Sequence, residues 1–245
     1  MKQNIYDDPD FFAGYAELRR TEGGLNGAVE QPALRSLLPP LAGRRVLDLG
    51  CGFGAFCREA QALGATRVVG VDLSQRMLEV ARKTTADPRI AYVREAMEDV
   101  ALDPASFDLI VSSYALHYVK DLDLLADRLA IALARGGSVA FTVEHPMVTA
   151  LPPEWCLGRD GVKLHWPVDE YQAEGERRSR WFVEGVVKYH RTVATYINAF
   201  LDQGLVLRRC LEPAPTQEQI QARPDLLDSW RRPAILALRF DAARK

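Results

Sequence analysis

Short apolar runs recur along the first half of the chain: "RVLDL" at Arg45–Leu49, "RVVGV" at Arg67–Val71, then "RIAYV", "FDLIVSS" and "SVAFTV". Helix-period segments separate them. Runs this short and this continuously apolar suit strands buried on both faces. That calls for a mostly parallel sheet with helices on both faces, an α/β fold. Helices are predicted over about 53–63, over about 75–83 with Ser74 as N-cap, and over about 122–134. In the last of these Leu122, Leu125, Leu129 and Leu133 share a face, and Gly136-Gly137 ends it. The tail offers the helix "TVATYINAFLDQGL" and the strands "VLRRCLEP" and "PAILALRF". Residues 1–42 read as a mostly helical cap. From His145 to Arg191 the pattern breaks into a Pro-, Trp- and charge-rich segment, expected to be an irregular substrate cap inserted in a single domain spanning 1–245.

The first strand runs into "DLGCGFGA", with Asp48 ahead of Gly50, Gly52 and Gly54. Three alternating glycines after a buried strand clear side chains so that a ligand can touch backbone. Two ligand classes fit them. Gly50, Gly52 and Ala55 also spell the dinucleotide fingerprint, with Asp72 about 20 residues on. An NAD(P)-dependent oxidoreductase is therefore an alternative. Asp48 argues the other way, because a carboxylate there would face a pyrophosphate. A ligand carrying a sulfonium and an ammonium, and no phosphate, tolerates it.

The order of motifs resembles the class I S-adenosylmethionine-dependent methyltransferases. "VLDLGCGFG" matches their first motif, "VVGVDLS" the second and "EAMED" the third. "FDLIVSSYALHYV" matches the fourth strand and its loop, and "ARGGSVAFTVEHP" the fifth. The resemblance covers about residues 44–146 and implies a Rossmann-like, seven-stranded sheet whose last strand is antiparallel. It also implies S-adenosyl-L-methionine as cofactor, S-adenosyl-L-homocysteine as product, and in-line methyl transfer. A non-catalytic cofactor-binding protein of the same fold is the other alternative.

The resemblance assigns roles by motif. Asp72 takes the ribose hydroxyls, and Leu73 and Met77 pack on the adenine. Ala96, Met97 and Glu98 frame its other edge. Asp48 orients the glycine loop and meets the methionine end, where Gly50, Cys51 and Gly52 offer backbone. Ser113 ends the fourth strand on the cofactor side. Tyr15 and Arg19 lie four apart on a helix face of "FFAGYAELRR", which closes over the cofactor, with Arg19 toward the methionine carboxylate. Cys51 reads as a packing residue, since nothing adjacent activates it.

A base, where the acceptor needs one, is expected from His117 or His145, each in a loop after a strand. The four histidines lack ligand spacing, so no metal is expected. Tyr114, Tyr118 and the lid aromatics Trp155, Trp166, Trp181, Phe182 and Tyr189 suit a small organic substrate. "GERRSRWF" is a charge run that suits either an acidic substrate group or a solvated face. A formal charge of -2 and a pI near 6.1 give no basic field for nucleic acid or membrane. "SSYA" after the fourth strand lacks the Pro-Pro-aromatic signature of base methylases. No run reaches the roughly 18 apolar residues of a membrane span. With no apolar leader and no CxxC pair among four cysteines, a cytoplasmic monomer or homodimer is expected.

Overall fold

The five apolar runs all become strands of one sheet, and their order in it differs from their order in the chain. The computed structural model describes residues 3–20 and 24–243. Residues 1–2 and 21–23 of the expected cap, and 244–245 of the expected domain, lie outside the described residues. The elements are α1 (Pro9–Arg20), α2 (Gln31–Leu37), β1 (Arg45–Leu49), α3 (Ala55–Ala62), β2 (Arg67–Asp72), α4 (Gln75–Lys83) and β3 (Ile90–Arg94). Next come β4 (Phe107–Ser113), α5 (Leu122–Ala132), β5 (Leu133–Glu144), α6 (Pro146–Thr149), β6 (Cys156–Leu157), β7 (Lys163–His165), β8 (Gly175–Trp181) and β9 (Val183–His190). The tail forms α7 (Val193–Leu201), β10 (Leu205–Leu211), α8 (Gln217–Ala222), α9 (Leu227–Arg231) and β11 (Ile235–Ala242).

The seven-stranded sheet has the order β10-β11-β5-β4-β1-β2-β3. β1 to β5 pair in parallel, and the last strand, β11, runs antiparallel between β5 and β10. The chain leaves β1 toward β2 on one side and returns to β4 on the other. This reversal opens a crevice beyond the carboxyl ends of β1 and β4, where such sheets bind ligands.

Strand alternation divides the core between the faces. Leu47 and Leu49 pack with Phe141, Phe200, Leu236, Leu238 and Phe240 under α5 and α7. Val46 packs with Leu34, Leu37, Cys57, Ala60, Val68 and Leu109 under α2 and α3. The outer strands β3 and β10 are less buried and carry arginines, which discourages further pairing.

Three expectations are corrected. The helix after β4 stops at Ala132, because Leu133 already pairs with Phe107; β5 therefore starts before Gly136-Gly137 and absorbs both glycines. Residues 145–191 are not irregular: they form two antiparallel hairpins, β6–β7 and β8–β9. In β9 every second residue from Val186 to His190 is buried, a period-2 pattern that the surrounding charges masked in the sequence. Residues 214–232, given no structure from sequence, hold α8 and α9; a Thr216–Gln219 capping box starts α8.

Candidate functional site

The chain turns out of β1 at Gly50. The Gly50 and Cys51 N–H groups both donate to Val71 O, at 2.8 and 3.0 Å. Gly52 N–H donates to Asp72 Oδ2 at 2.8 Å, and Ser74 N–H to Asp72 Oδ1 at 2.9 Å. The loop is thus tied to the end of β2. Gly50, Gly52 and Gly54 have φ of 75°, 52° and 72°, a region that L side chains rarely adopt. A Cβ on Gly50 would lie 2.5 Å from that of Ala115, whereas one on Gly52 would meet nothing within 4 Å. Gly50 lets the loop after β4 approach; Gly52 faces open space.

Asp48, expected to orient this loop, takes its side-chain hydrogen bond from Cys57 of α3. Alternation puts it on the α3 side with Val46, where Cys57 Sγ donates to Asp48 Oδ2 at 3.3 Å. Burial pushes its carboxyl up to about 7. Opposite Asp48 in register stands Gly70, where a Cβ would come within 2.8 Å of Cys57 Sγ and 2.9 Å of Cys51 Sγ. The glycine of "VVGV" thus makes room for two thiols. Cys51 is raised well above the ordinary thiol range by its contact with Cys57 and by burial, as suits a packing residue.

The amino-terminal segment closes over the same crevice. Asp7 accepts from Ser74 Oγ at 2.6 Å and from the Gln75 and Arg76 N–H groups, capping α4 from a distant part of the chain. Tyr6 packs edge-on against Phe11 and Tyr15, and Tyr15 lies 6.0 Å from Phe53 of the glycine loop. Arg19 lies 5.5 Å from the Tyr15 ring centroid and donates to Asn26 Oδ1. Asn26 Nδ2 in turn donates to Glu30 Oε2 at 2.8 Å. Glu30, fully buried, also accepts from Gln31 Nε2 (2.8 Å), Ser113 Oγ (2.9 Å) and Thr142 Oγ1 (2.5 Å). One chain of hydrogen bonds therefore runs from Arg19 to the ends of β4 and β5.

On the opposite wall Ala96 is buried and Met97 half-buried. Met97 Cε lies 3.7 Å from where a Gly50 Cβ would be, over the glycine loop. Arg128 of α5 donates to the carbonyls of Glu98, Asp99 and Val100, bracing that turn. Leu73 is half-buried, while Met77 is fully enclosed in α4. Met77 is thus a core residue beneath the site.

The two histidines part company. His145 N-caps α6: its Nδ1 accepts from Met147 N–H at 3.1 Å, and Nε2 pairs with Glu212 Oε1 at 2.7 Å. Both nitrogens are occupied, so the expectation of a base at His145 gives way to a structural cap. His117 is buried beside Tyr118, ring centroids 4.4 Å apart, and its Nδ1 accepts from Glu144 N–H at 3.4 Å. Burial lowers it to about 4, so the ring is neutral at pH 7. With Nδ1 accepting, the proton sits on Nε2, which makes His117 a donor in this geometry. Tyr114 takes φ of 51°, held by its N–H donating to both Thr142 O and Thr142 Oγ1.

Above β4 and β5 the lid supplies Lys188, buried, whose Nζ lies 2.6 Å from Glu144 Oε1 and 5.5 Å from the Trp181 ring centroid. Trp181 packs edge-on to Phe11 (5.2 Å) and Tyr15 (5.9 Å). A Cβ on Gly14 would come within 2.6 Å of the Phe182 ring. The Gln3 side-chain amide ties the amino-terminal segment to β9: its Nε2 donates to Gly185 O and its Oε1 accepts from Val187 N–H, both at 2.8 Å. The Arg178 and Arg180 side chains of "GERRSRWF" are exposed and pair with Glu176 and Glu184, a solvated face.

Sequence reasoning missed Asn26, Glu30, Lys188 and Glu144 as site residues. Only Lys188 had a signal, its place in the period-2 pattern of β9. Two cavities lie elsewhere: one of about 390 Å³ lined by Arg44, Arg208, Arg239 and Asp241, and one of about 430 Å³ beside α2. Among the described residues no cluster of His, Cys, Asp and Glu could hold a metal, and no helix is long and apolar enough to cross a membrane.

The crevice fits an adenosyl cofactor. Gly52 leaves open space beside the Asp72 carboxylate at the end of β2. Residues 47–141 match the family model described as a methyltransferase domain. A solved S-adenosylmethionine-dependent methyltransferase from Mesorhizobium loti is 44% identical, covers 89% of this chain and 100% of its own, and superposes with a TM-score of 0.83. An uncharacterized protein of Haemophilus influenzae is 34% identical over 252 aligned positions, across 100% of this chain and 98% of its own. A ubiquinone biosynthesis O-methyltransferase of Chelativorans is 37% identical over 100 residues, 40% of this chain and 39% of its own. The dinucleotide alternative falls with these likenesses, and the chain belongs to the class I S-adenosylmethionine-dependent methyltransferases.

Proposed function

We propose that this enzyme methylates a small organic molecule held above β4 and β5, with the whole chain acting as one methyltransferase domain. Residues 1–42 serve as the cofactor cap and 145–191 as the substrate cap. One observation carries the small-molecule reading: Trp181 of the lid meets Phe11 and Tyr15 of the amino-terminal helix edge-on. The two caps therefore meet over the site, as suits an enclosed small molecule better than a nucleic acid or a membrane. When bound, the cofactor supplies an activated methyl on a sulfonium.

The residues take these parts. Asp72 holds the ribose hydroxyls while fixing the loop through Gly52. The Gly50–Gly52 backbone lies along the methionine end, and Arg19 takes its carboxylate. Ala96 and Met97 flank the adenine, with Leu73 on the other side and Glu98 at the edge. Ser113 and Glu30 brace Arg19 from the sheet. His117 offers its Nε2–H to the acceptor, and a neutral donor there orients a nucleophile rather than deprotonating it. The four free cysteines suit a cytoplasmic protein, a monomer or homodimer.

The test is calorimetric titration with S-adenosylhomocysteine, then mass-spectrometric screening of small-molecule pools for a gain of one methylene mass in the presence of S-adenosylmethionine. Methylation of RNA or protein with no small-molecule product would overturn the reading.

A further inference from the structure

We propose that Arg232 binds an oxyanion, carboxylate or phosphate, carried by the methyl acceptor. This rests on the small-molecule reading above. Arg232 lies just before β11, whose Ile235 pairs with Glu144, and Ala234 O accepts from His145 N–H at 3.0 Å. It therefore stands at the carboxyl end of β5, on the same edge of the sheet as His117 and Glu144.

The guanidinium is held by its face. Its Cζ lies 4.0 Å from the Trp166 ring centroid and 6.0 Å from that of Trp155. The two indoles pack edge-on at 5.5 Å, and Trp166 Nε1–H donates to Met147 O at 2.8 Å, which fixes the stack. Stacking uses no N–H donor. Arg232 Nε and Nη1 are buried and have no hydrogen-bond partner among the described residues.

The nearby acids are already committed. Glu144 is paired with Lys188, Asp228 with Lys163 at 2.5 Å, and Glu212 with His145. Tyr114 and His145 complete the groups that face Arg232. Burial holds the guanidinium below the ordinary arginine range, since Asp228, Glu144 and Tyr114 offset it only in part. Arg232 is half-buried, but two buried nitrogens with unmade hydrogen bonds are costly, and an arriving oxyanion removes that cost. Arg191 also has one buried unpaired nitrogen, but its Nη2 donates to the carbonyls of Val119 and Lys120, which makes it a brace for the loop after β4.

The experiment titrates the full chain, with and without S-adenosylhomocysteine, against benzoate, benzamide and inorganic phosphate at constant ionic strength. Calorimetry and thermal melting are the readouts. Benzoate or phosphate is expected to bind and raise the melting temperature, and benzamide to do neither. Which anion binds separates a carboxylate acceptor from a phosphorylated one. R232M should lose roughly tenfold or more in anion affinity. Its affinity for S-adenosylhomocysteine should be unchanged, and its melting temperature without anion no lower, since two buried donors without partners are being removed. R232Q carries the same comparison if R232M does not fold. Equal binding of benzamide and benzoate, no binding of either anion, or unchanged anion binding by the variants overturns the proposal. Failure to bind S-adenosylhomocysteine would instead overturn the cofactor assignments, and the cofactor-free titration would still decide on Arg232.

Discussion

Asp72 accepts the Gly52 N–H across 2.8 Å, so the carboxylate at the end of β2 also fixes the loop that leaves β1. Its other oxygen takes the Ser74 N–H. Asp72 is thus a clamp on the cradle, beside the ribose-binding part proposed for it above.

Asp72→Asn keeps an acceptor for one of these amides but loses the charge. It is expected to weaken S-adenosylhomocysteine binding roughly tenfold or more while leaving the fold intact. Asp72→Ala should weaken it further, because the loop is then released as well. Calorimetric titration of both variants checks the order; equal losses would mean that the clamp contributes nothing.

Asp48 gives a stability signature in pH. Its pKa is raised from 3.8 to about 7 in the folded chain, with burial the main cause. A carboxyl raised in the folded state contributes stability that is fully present below its unfolded value and lost as pH rises through about 7. Asp48→Asn stays neutral throughout. Its stability relative to the parent should therefore rise between about pH 4 and pH 7 and level off, by on the order of 2–4 kcal/mol. Urea unfolding across that range measures it, and a difference independent of pH would contradict the assignment.

His117 behaves in the opposite sense. Burial lowers it from 6.5 to about 4, so its contribution is present above 6.5 and lost as pH falls toward 4. His117→Gln should lose less stability than the parent over that window. Nitrogen NMR of labelled protein should find the ring neutral at pH 7 with the proton on Nε2. A proton on Nδ1 would restore His117 as a base toward the acceptor.

Glu30 is the hub that joins Arg19 to the sheet. Glu30→Ala leaves the donors of Asn26, Gln31, Ser113 and Thr142 without their acceptor. We expect about 3 kcal/mol of lost stability by chemical denaturation. Cofactor affinity should fall as Arg19 loses its support. Arg19→Met should reproduce the loss of affinity without the loss of stability, which separates contact from scaffold.

The glycine turn and the acid at the end of β2 were legible because they lie in contiguous stretches. Gly50, Gly52 and Asp72 each sit at a strand end, and strand ends follow from the period of the apolar residues. The Asp48–Cys57 contact was also contained in the strand, since alternation turns Asp48 toward α3. His145 failed because its partner, Glu212, lies 67 residues away.

The lid was misjudged because its charges hid its alternation. In "VVKYH" Lys188 looks like a surface residue, yet it is buried against Glu144. Glu30 likewise looks solvated in "GAVEQP", and it becomes an internal acceptor only when β4 and β5 bring Ser113 and Thr142 to it.

By itself the sequence determined the sheet, the glycine cradle and the acid beside it, because backbone conformation and strand period depend on near neighbours along the chain. The tertiary structure decided which charges are buried, which histidine is a donor, and that two Arg232 nitrogens at the mouth of β5 have no partner among the described residues. A charged side chain is the same in sequence whether water or protein surrounds it; only the packing of distant segments settles which.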